Sequence, residues 1–215
     1  MLVVSWHPWF LSPWSCAVTM TRRTIFVLSI DDGVLLDILS RSIPDKDIMG
    51  LAEGVTRSFA STASGKGLPL GNLTSQLFAN IYMNEFGQFV KHKFKARYYL
   101  RYADDFVFLS EDRRVLGGML PLIDGFLREK LKLTLHPQKV FIKTFASGVD
   151  FLGWVHFTDH RVLRTSTKRW MIKWLKETSS PGTMQSYFGL LRHGNTHGIQ
   201  EQIAKIDTKP ATFPL

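Results

Sequence analysis

Apolar residues recur along this chain at two spacings, and the switches between them outline its elements. Residues 25–30 (IFVLSI) form a short apolar run that predicts a buried strand, closed by the turn signal Asp31-Asp32-Gly33. Residues 34–39 read as a helix that ends before Pro44, and Asp45 can cap a second helix over 46–59. Residues 61–71 are a Ser/Gly/Pro-rich loop. The strongest helix opens at Ser75, with Leu77, Phe78, Ile81, Tyr82, Phe89 and Val90 falling mainly on one stripe. It closes in Lys91, His92, Lys93 and Lys95, where cations suit the negative end of the helix dipole.

Beyond it, residues 97–102 and 106–110 predict two strands joined at Asp104-Asp105, a hairpin with acids at its tip. A helix over 114–130 follows. Leu131, Leu133 and Leu135 alternate with polar residues, the period of a half-buried strand. Residues 140–144 predict another strand, and 151–157 with 161–163 a second hairpin. Residues 168–176 form a basic helix in which Trp170 and Trp174 are expected to pack, and a last helical piece surrounds 187–191. Residues 1–23 show neither period, and the tail after Lys205 reads as loose. The interleaved elements, with an antiparallel hairpin as the clearest strand pair, predict an α+β fold.

Composition adds a partner class. The chain has 215 residues, with 27 Lys and Arg against 18 Asp and Glu, a net charge of +9. Such an excess favours a polyanion, because basic side chains release the counterions of phosphates. The single cysteine, Cys16, excludes a disulfide framework and a cysteine-based zinc site and fits a reducing, cytoplasmic location. The apolar, Trp-rich first eighteen residues lack a basic leader region and are broken by Pro8 and Pro13, so neither a signal peptide nor a membrane span is expected.

Candidate chemistry sits at the first hairpin. Asp104 and Asp105 lie between two apolar strands, where paired carboxylates are costly unless something positive joins them. Mg²⁺ is a natural partner, since it takes one or two carboxylates plus substrate phosphates. A solvated Asp-Asp turn is the plain alternative. The segment Tyr102-Ala103-Asp104-Asp105 resembles the Y-x-D-D signature of reverse transcriptases. Upstream, Gly65-Lys66-Gly67-Leu68-Pro69-Leu70-Gly71-Asn72-Leu73-Thr74-Ser75-Gln76 is similar to the family's loop leading into a palm helix. Its Ser-Gln pair resembles the diversity-generating-retroelement-like branch of the retron/group II intron-type bacterial enzymes. Downstream, Leu131 to Lys139 resembles a strand-and-lysine motif, and Gly148-Val149-Asp150-Phe151-Leu152-Gly153-Trp154 the G-x-x-F-L-G primer grip. Ser186-Tyr187-Phe188-Gly189-Leu190-Leu191 and the residues up to Thr196 resemble the end of the thumb.

The resemblance implies a right-hand polymerase palm over 29–160, a partial helical thumb over 161–205 and a tail over 206–215, with the fingers largely missing. It implies Asp104 and Asp105 as catalytic metal ligands, and Gly71, Ser75, Gln76, Tyr102, Lys139 and Gly153 as substrate-binding residues. Lys139 would neutralise phosphate charge or donate a proton to pyrophosphate; a plain surface lysine is the other reading. Two Mg²⁺ ions are implied, with Mn²⁺ able to substitute, as are dNTPs, an RNA template and a DNA or RNA primer. Lys168, Arg169, Lys173 and Lys176 would track the primer-template backbone. His193 and His197 are not expected to bind metal.

One departure stands out. The family pattern D-I-[KR]-K-F-F-x-S-I-D ends at Ser29-Ile30-Asp31, which puts its first Asp at position 22, where this chain has Arg22. Either residues 1–28 are not homologous sequence ahead of a truncated domain, or Asp31 or Asp32 serves as the third ligand. RNA-templated DNA synthesis is therefore expected by family. The alternatives are a catalytically silent nucleic-acid-binding remnant, a maturase-like RNA-binding protein, and a nuclease that leaves the Gly-rich and G-x-x-F-L-G segments unexplained.

Overall fold

The computed structural model describes residues 16–20, 26–58, 65–69, 71–135, 138, 140–177 and 181–207. The chain divides into two compact units, one spanning Ser15–Ile142 and one containing the chain from Lys143 onward.

In the first unit, β1 (Cys16–Met20), β2 (Tyr99–Tyr102), β3 (Asp105–Ser110) and β4 (Val140–Thr144), whose last two residues pass the unit boundary, make a sheet in the order β2-β3-β1-β4. β3 runs antiparallel to both neighbours, with Tyr102 opposite Asp105 and Met20 opposite Phe106. β1 comes from a stretch whose sequence shows neither period; its pairing with β3 is what defines it as a strand.

The helices are α1 (Phe26–Ser29), α2 (Asp32–Ser40), α3 (Lys46–Arg57), α4 (Leu73–Phe89) and α5 (Arg113–Leu131). Asp45 caps α3 as the sequence predicts, accepting from the amides of Asp47 and Ile48 at 2.8 and 3.1 Å. On α4 and at its C-cap, Phe78, Tyr82, Phe86 and Val90 form the buried stripe at i, i+4 spacing, and Leu77 lies outside it in solvent. Phe86 packs on Phe106 of β3 with ring centroids 4.9 Å apart, fastening the helix to the hairpin strand. Beyond α4, Val90–Phe94 winds as a π-helical turn that ends at Lys95 in the left-handed region.

Three predicted strands are corrected. The stretch 151–157 is not one strand, because a turn at Leu152-Gly153 folds Phe151 back onto Trp154. The run at 25–30 contains the short helix α1, and Asp31-Asp32-Gly33 is the start of α2. Asp31 is its N-cap, with Oδ1 accepting from the Val34 amide at 3.0 Å. A six-residue apolar run carries too few positions to distinguish the two periods. The alternation Leu131, Leu133, Leu135 belongs to a helix end. Lys132 adopts φ 46°, and the amides of Lys132 and Leu133 both donate to the Leu127 carbonyl. That reversal buries Leu131 and Leu133 on either side of an exposed lysine and mimics a strand's period.

The second unit has its own sheet, β5 (Val149–Phe151), β6 (Trp154–His156) and β7 (Arg161–Leu163), and helices α6 (Thr165–Glu177), α7 (Pro181–Leu191) and α8 (His197–Asp207). Trp154, Leu163, Met171, Leu175, Leu191, Ile199 and Ile203 form its core. Trp170 and Trp174, expected to pack, are exposed. Among the described residues no helix is long and apolar enough to cross a membrane.

Candidate active site

The acidic hairpin is built by a two-residue turn. Tyr102 pairs with Asp105, which leaves Ala103 and Asp104 as the central residues. Ala103 has φ 52°, the sense that matches the right-handed twist of the flanking strands. The Arg101 guanidinium donates to the Ala103 carbonyl at 2.9 Å and braces this strained turn. Asp105 then opens β3. Phe106 and Phe108 share one face of the strand and enter the helix-backed core, so alternation puts Asp105 on the other. Both carboxylates are partly exposed, and Tyr102 beside them is 65% exposed. Hard carboxylate oxygens at a partly solvated tip suit Mg²⁺, which keeps water and substrate oxygens in its shell. Among the described residues no three His, Cys, Asp or Glu side chains are grouped to hold a metal. Arg22 lies outside the described residues.

The Gly-rich loop is stitched to the start of α2. The Gly67 amide donates to the Ile30 carbonyl at 2.8 Å and the Asp32 amide to the Gly65 carbonyl at 3.2 Å. Gly71 has φ 85° with open space where a Cβ would lie, so the backbone conformation is what requires glycine there. Four residues on, Ser75 is buried on α4 with its Oγ unpartnered, while Gln76 is exposed. Lys139 lies outside the described residues. Gly153 belongs to the second unit, in another two-residue turn, with Leu152 at φ 53° and Gly153 at φ 84° between the paired Phe151 and Trp154. There the Arg164 Nε donates to Asp150 at 2.8 Å and the Gly153 carbonyl accepts from the Arg164 amide at 2.9 Å.

Asp31, a candidate third ligand, has both carboxylate oxygens engaged. Oδ1 caps α2, and Oδ2 accepts from the Lys132 ammonium at 2.9 Å. Burial alone would push this carboxyl up, but the Lys132 hydrogen bond and charge, with the Val34 amide and Lys66, hold it below its ordinary value. Asp32 moves the other way, raised by burial and then by its neighbour Asp31, against the opposing charge of Arg57. Tyr82 completes the junction. Its hydroxyl accepts from the Asp31 amide at 3.4 Å and donates to the Leu131 carbonyl at 2.7 Å. The pairing of Asp31 with Lys132 and Tyr82 escaped the sequence reading, because these partners lie 101 and 51 residues away and no local pattern marks such pairings.

Comparison with known proteins bears on the family and the fold. The family model described as reverse transcriptase (RNA-dependent DNA polymerase) matches residues 36–156, more than half of the chain. No curated protein matches by sequence. Among solved structures, the chain resembles telomerase from Candida albicans in complex with the TWJ fragment of telomeric RNA. Identity is 13% and the TM-score 0.51, over 91% of this chain and 42% of that one. The likeness establishes a shared palm-like fold, and this chain spans well under half of that telomerase's length.

Proposed function

This chain belongs to the reverse transcriptase (RNA-dependent DNA polymerase) family, and from that premise we propose that it performs RNA-templated DNA synthesis at the Asp104–Asp105 hairpin. The observation that carries the reading is the placement of two adjacent carboxylates at the braced tip of a hairpin whose strands are anchored in the core. Asp104 and Asp105 would hold Mg²⁺, which when bound would supply activation of the primer 3′-hydroxyl and stabilisation of the departing pyrophosphate. The Arg101 brace keeps the carboxylates from drifting, and positional error at such a site is costly. Exposed Tyr102 offers an aromatic surface beside the acids. Gly71 and Gln76 are assigned to template and incoming dNTP, with buried Ser75 behind them on α4, and Lys139 to phosphate; in the second unit, the Gly153 turn is assigned to the primer. The Ser75-Gln76 pair supports assigning the chain to the diversity-generating-retroelement-like branch of the retron and group II intron-type enzymes.

A second reading is a protein that binds primed RNA without chemistry. Arg22, standing where the family pattern carries an Asp, favours it. Incorporation of dTTP on primed poly(rA) with Mg²⁺, measured beside Asp104→Ala, separates the two. Activity lost in the variant supports polymerisation. No incorporation by the unaltered chain, with salt-sensitive RNA binding retained, leaves binding alone.

A further inference from the structure

Helix α6 carries two indoles that its packing does not use. Met171 and Leu175 are 0% and 1% exposed and fill the core of the second unit, whereas Trp170 and Trp174 are 59% and 42% exposed. Large aromatic side chains left in water forgo the burial that stabilises the rest of the helix. Nor are they scattered: spaced i, i+4, their rings stack at 14° with centroids 5.8 Å apart. The pair forms an ordered aromatic step on the outside of the helix.

The charges beside it indicate what it meets. Arg169, Lys173 and Lys176 are all exposed, and at about 3.6 residues per turn they fall on one flank of the tryptophan stripe. Glu177, 3.9 Å from Lys173, is the helix's one acid. A π surface edged by cations matches a ligand with accessible ring faces and regularly spaced negative charge. Single-stranded nucleic acid has both, while a duplex hides its base faces in the stack. A second copy of this chain is a poor occupant, since each copy carries +9 and the flank is cationic.

We propose that the Trp170–Trp174 face of α6 is a stacking platform for unpaired nucleotides, with Arg169, Lys173 and Lys176 on the adjoining phosphates. This site goes beyond the polymerase reading and does not depend on the acidic hairpin.

The test compares binding of a labelled oligo-dT and oligo-U with binding of a fully paired RNA–DNA hybrid of equal length, using the full chain. The double variant Trp170→Ala/Trp174→Ala is expected to weaken single-strand binding by about tenfold or more, with Trp170→Phe/Trp174→Phe keeping most of the affinity and hybrid binding nearly unchanged. Melting curves check that both double variants are folded. Unchanged single-strand affinity in the alanine variant overturns the proposal, as does an equal loss on the hybrid. Sedimentation that shows lost self-association with intact oligonucleotide binding assigns the face to a protein contact and overturns it too. Binding is read without dNTP or Mg²⁺, so failure of the catalytic reading leaves this result legible by itself.

Discussion

Asp31 is the residue whose environment most sharply separates a structural role from a chemical one. Its carboxylate ends α2 and pairs with Lys132. Asp31→Ala should lower stability by roughly 0.5–2 kcal/mol through the lost cap, whereas Asn keeps an acceptor for the Val34 amide. Because the folded carboxyl lies below its ordinary value of 3.8, its contribution is complete above that pH and is lost as pH falls through the lowered value. Asp32 acts in the opposite sense, since its raised carboxyl is disfavoured as an anion in the fold. Denaturant midpoints across the acid range should therefore fall less steeply in Asp31→Asn than in the unaltered chain; parallel profiles would deny the Lys132 pairing any weight. Gly194 is constrained differently. A Cβ there would lie 2.2 Å from Trp154 Cζ3 and 2.9 Å from the Arg161 carbonyl oxygen. Gly194→Ala must displace a core tryptophan, and urea unfolding should report a loss of about 1–3 kcal/mol.

At the level of elements, the β2–β3 hairpin concentrates the strain. Ala103 sits at a positive φ that glycine adopts freely. Ala103→Gly should leave the melting temperature unchanged or raise it, within about 1 kcal/mol. Ala103→Val should lower it, since a β-branched side chain tolerates that region worst. If Val melts above Gly, the turn does not have this shape in solution. The hairpin was readable because its strands are apolar and its tip is acidic. The end of α5 was not, because Lys132 in the left-handed region imposes a two-residue period on a helix terminus. The same limit applies to α8, whose chain begins at His197 with Thr196 accepting its first amides. Nothing in the local pattern marked it as distinct from the helical piece before it.

Across the whole molecule, the +9 charge predicts binding to RNA that weakens steeply as salt rises from about 50 to 200 mM. A flat salt response in a filter-binding or anisotropy titration would leave the basic excess without a nucleic-acid role. The sequence by itself determined the α+β class, the reverse transcriptase family, the acidic hairpin and the extents of α3 and β4, because hydrophobic period, capping and short-range motifs act between neighbours in the chain. Tertiary structure alone decided that β1 enters the sheet between β3 and β4, and that Asp31 is held by Lys132 and Tyr82. It also decided that Trp170 and Trp174 stand in water while Met171 and Leu175 are buried. The physical reason is common to all three. Each depends on which distant surface a side chain meets, and an apolar or charged residue carries no local mark of whether that surface is protein or solvent.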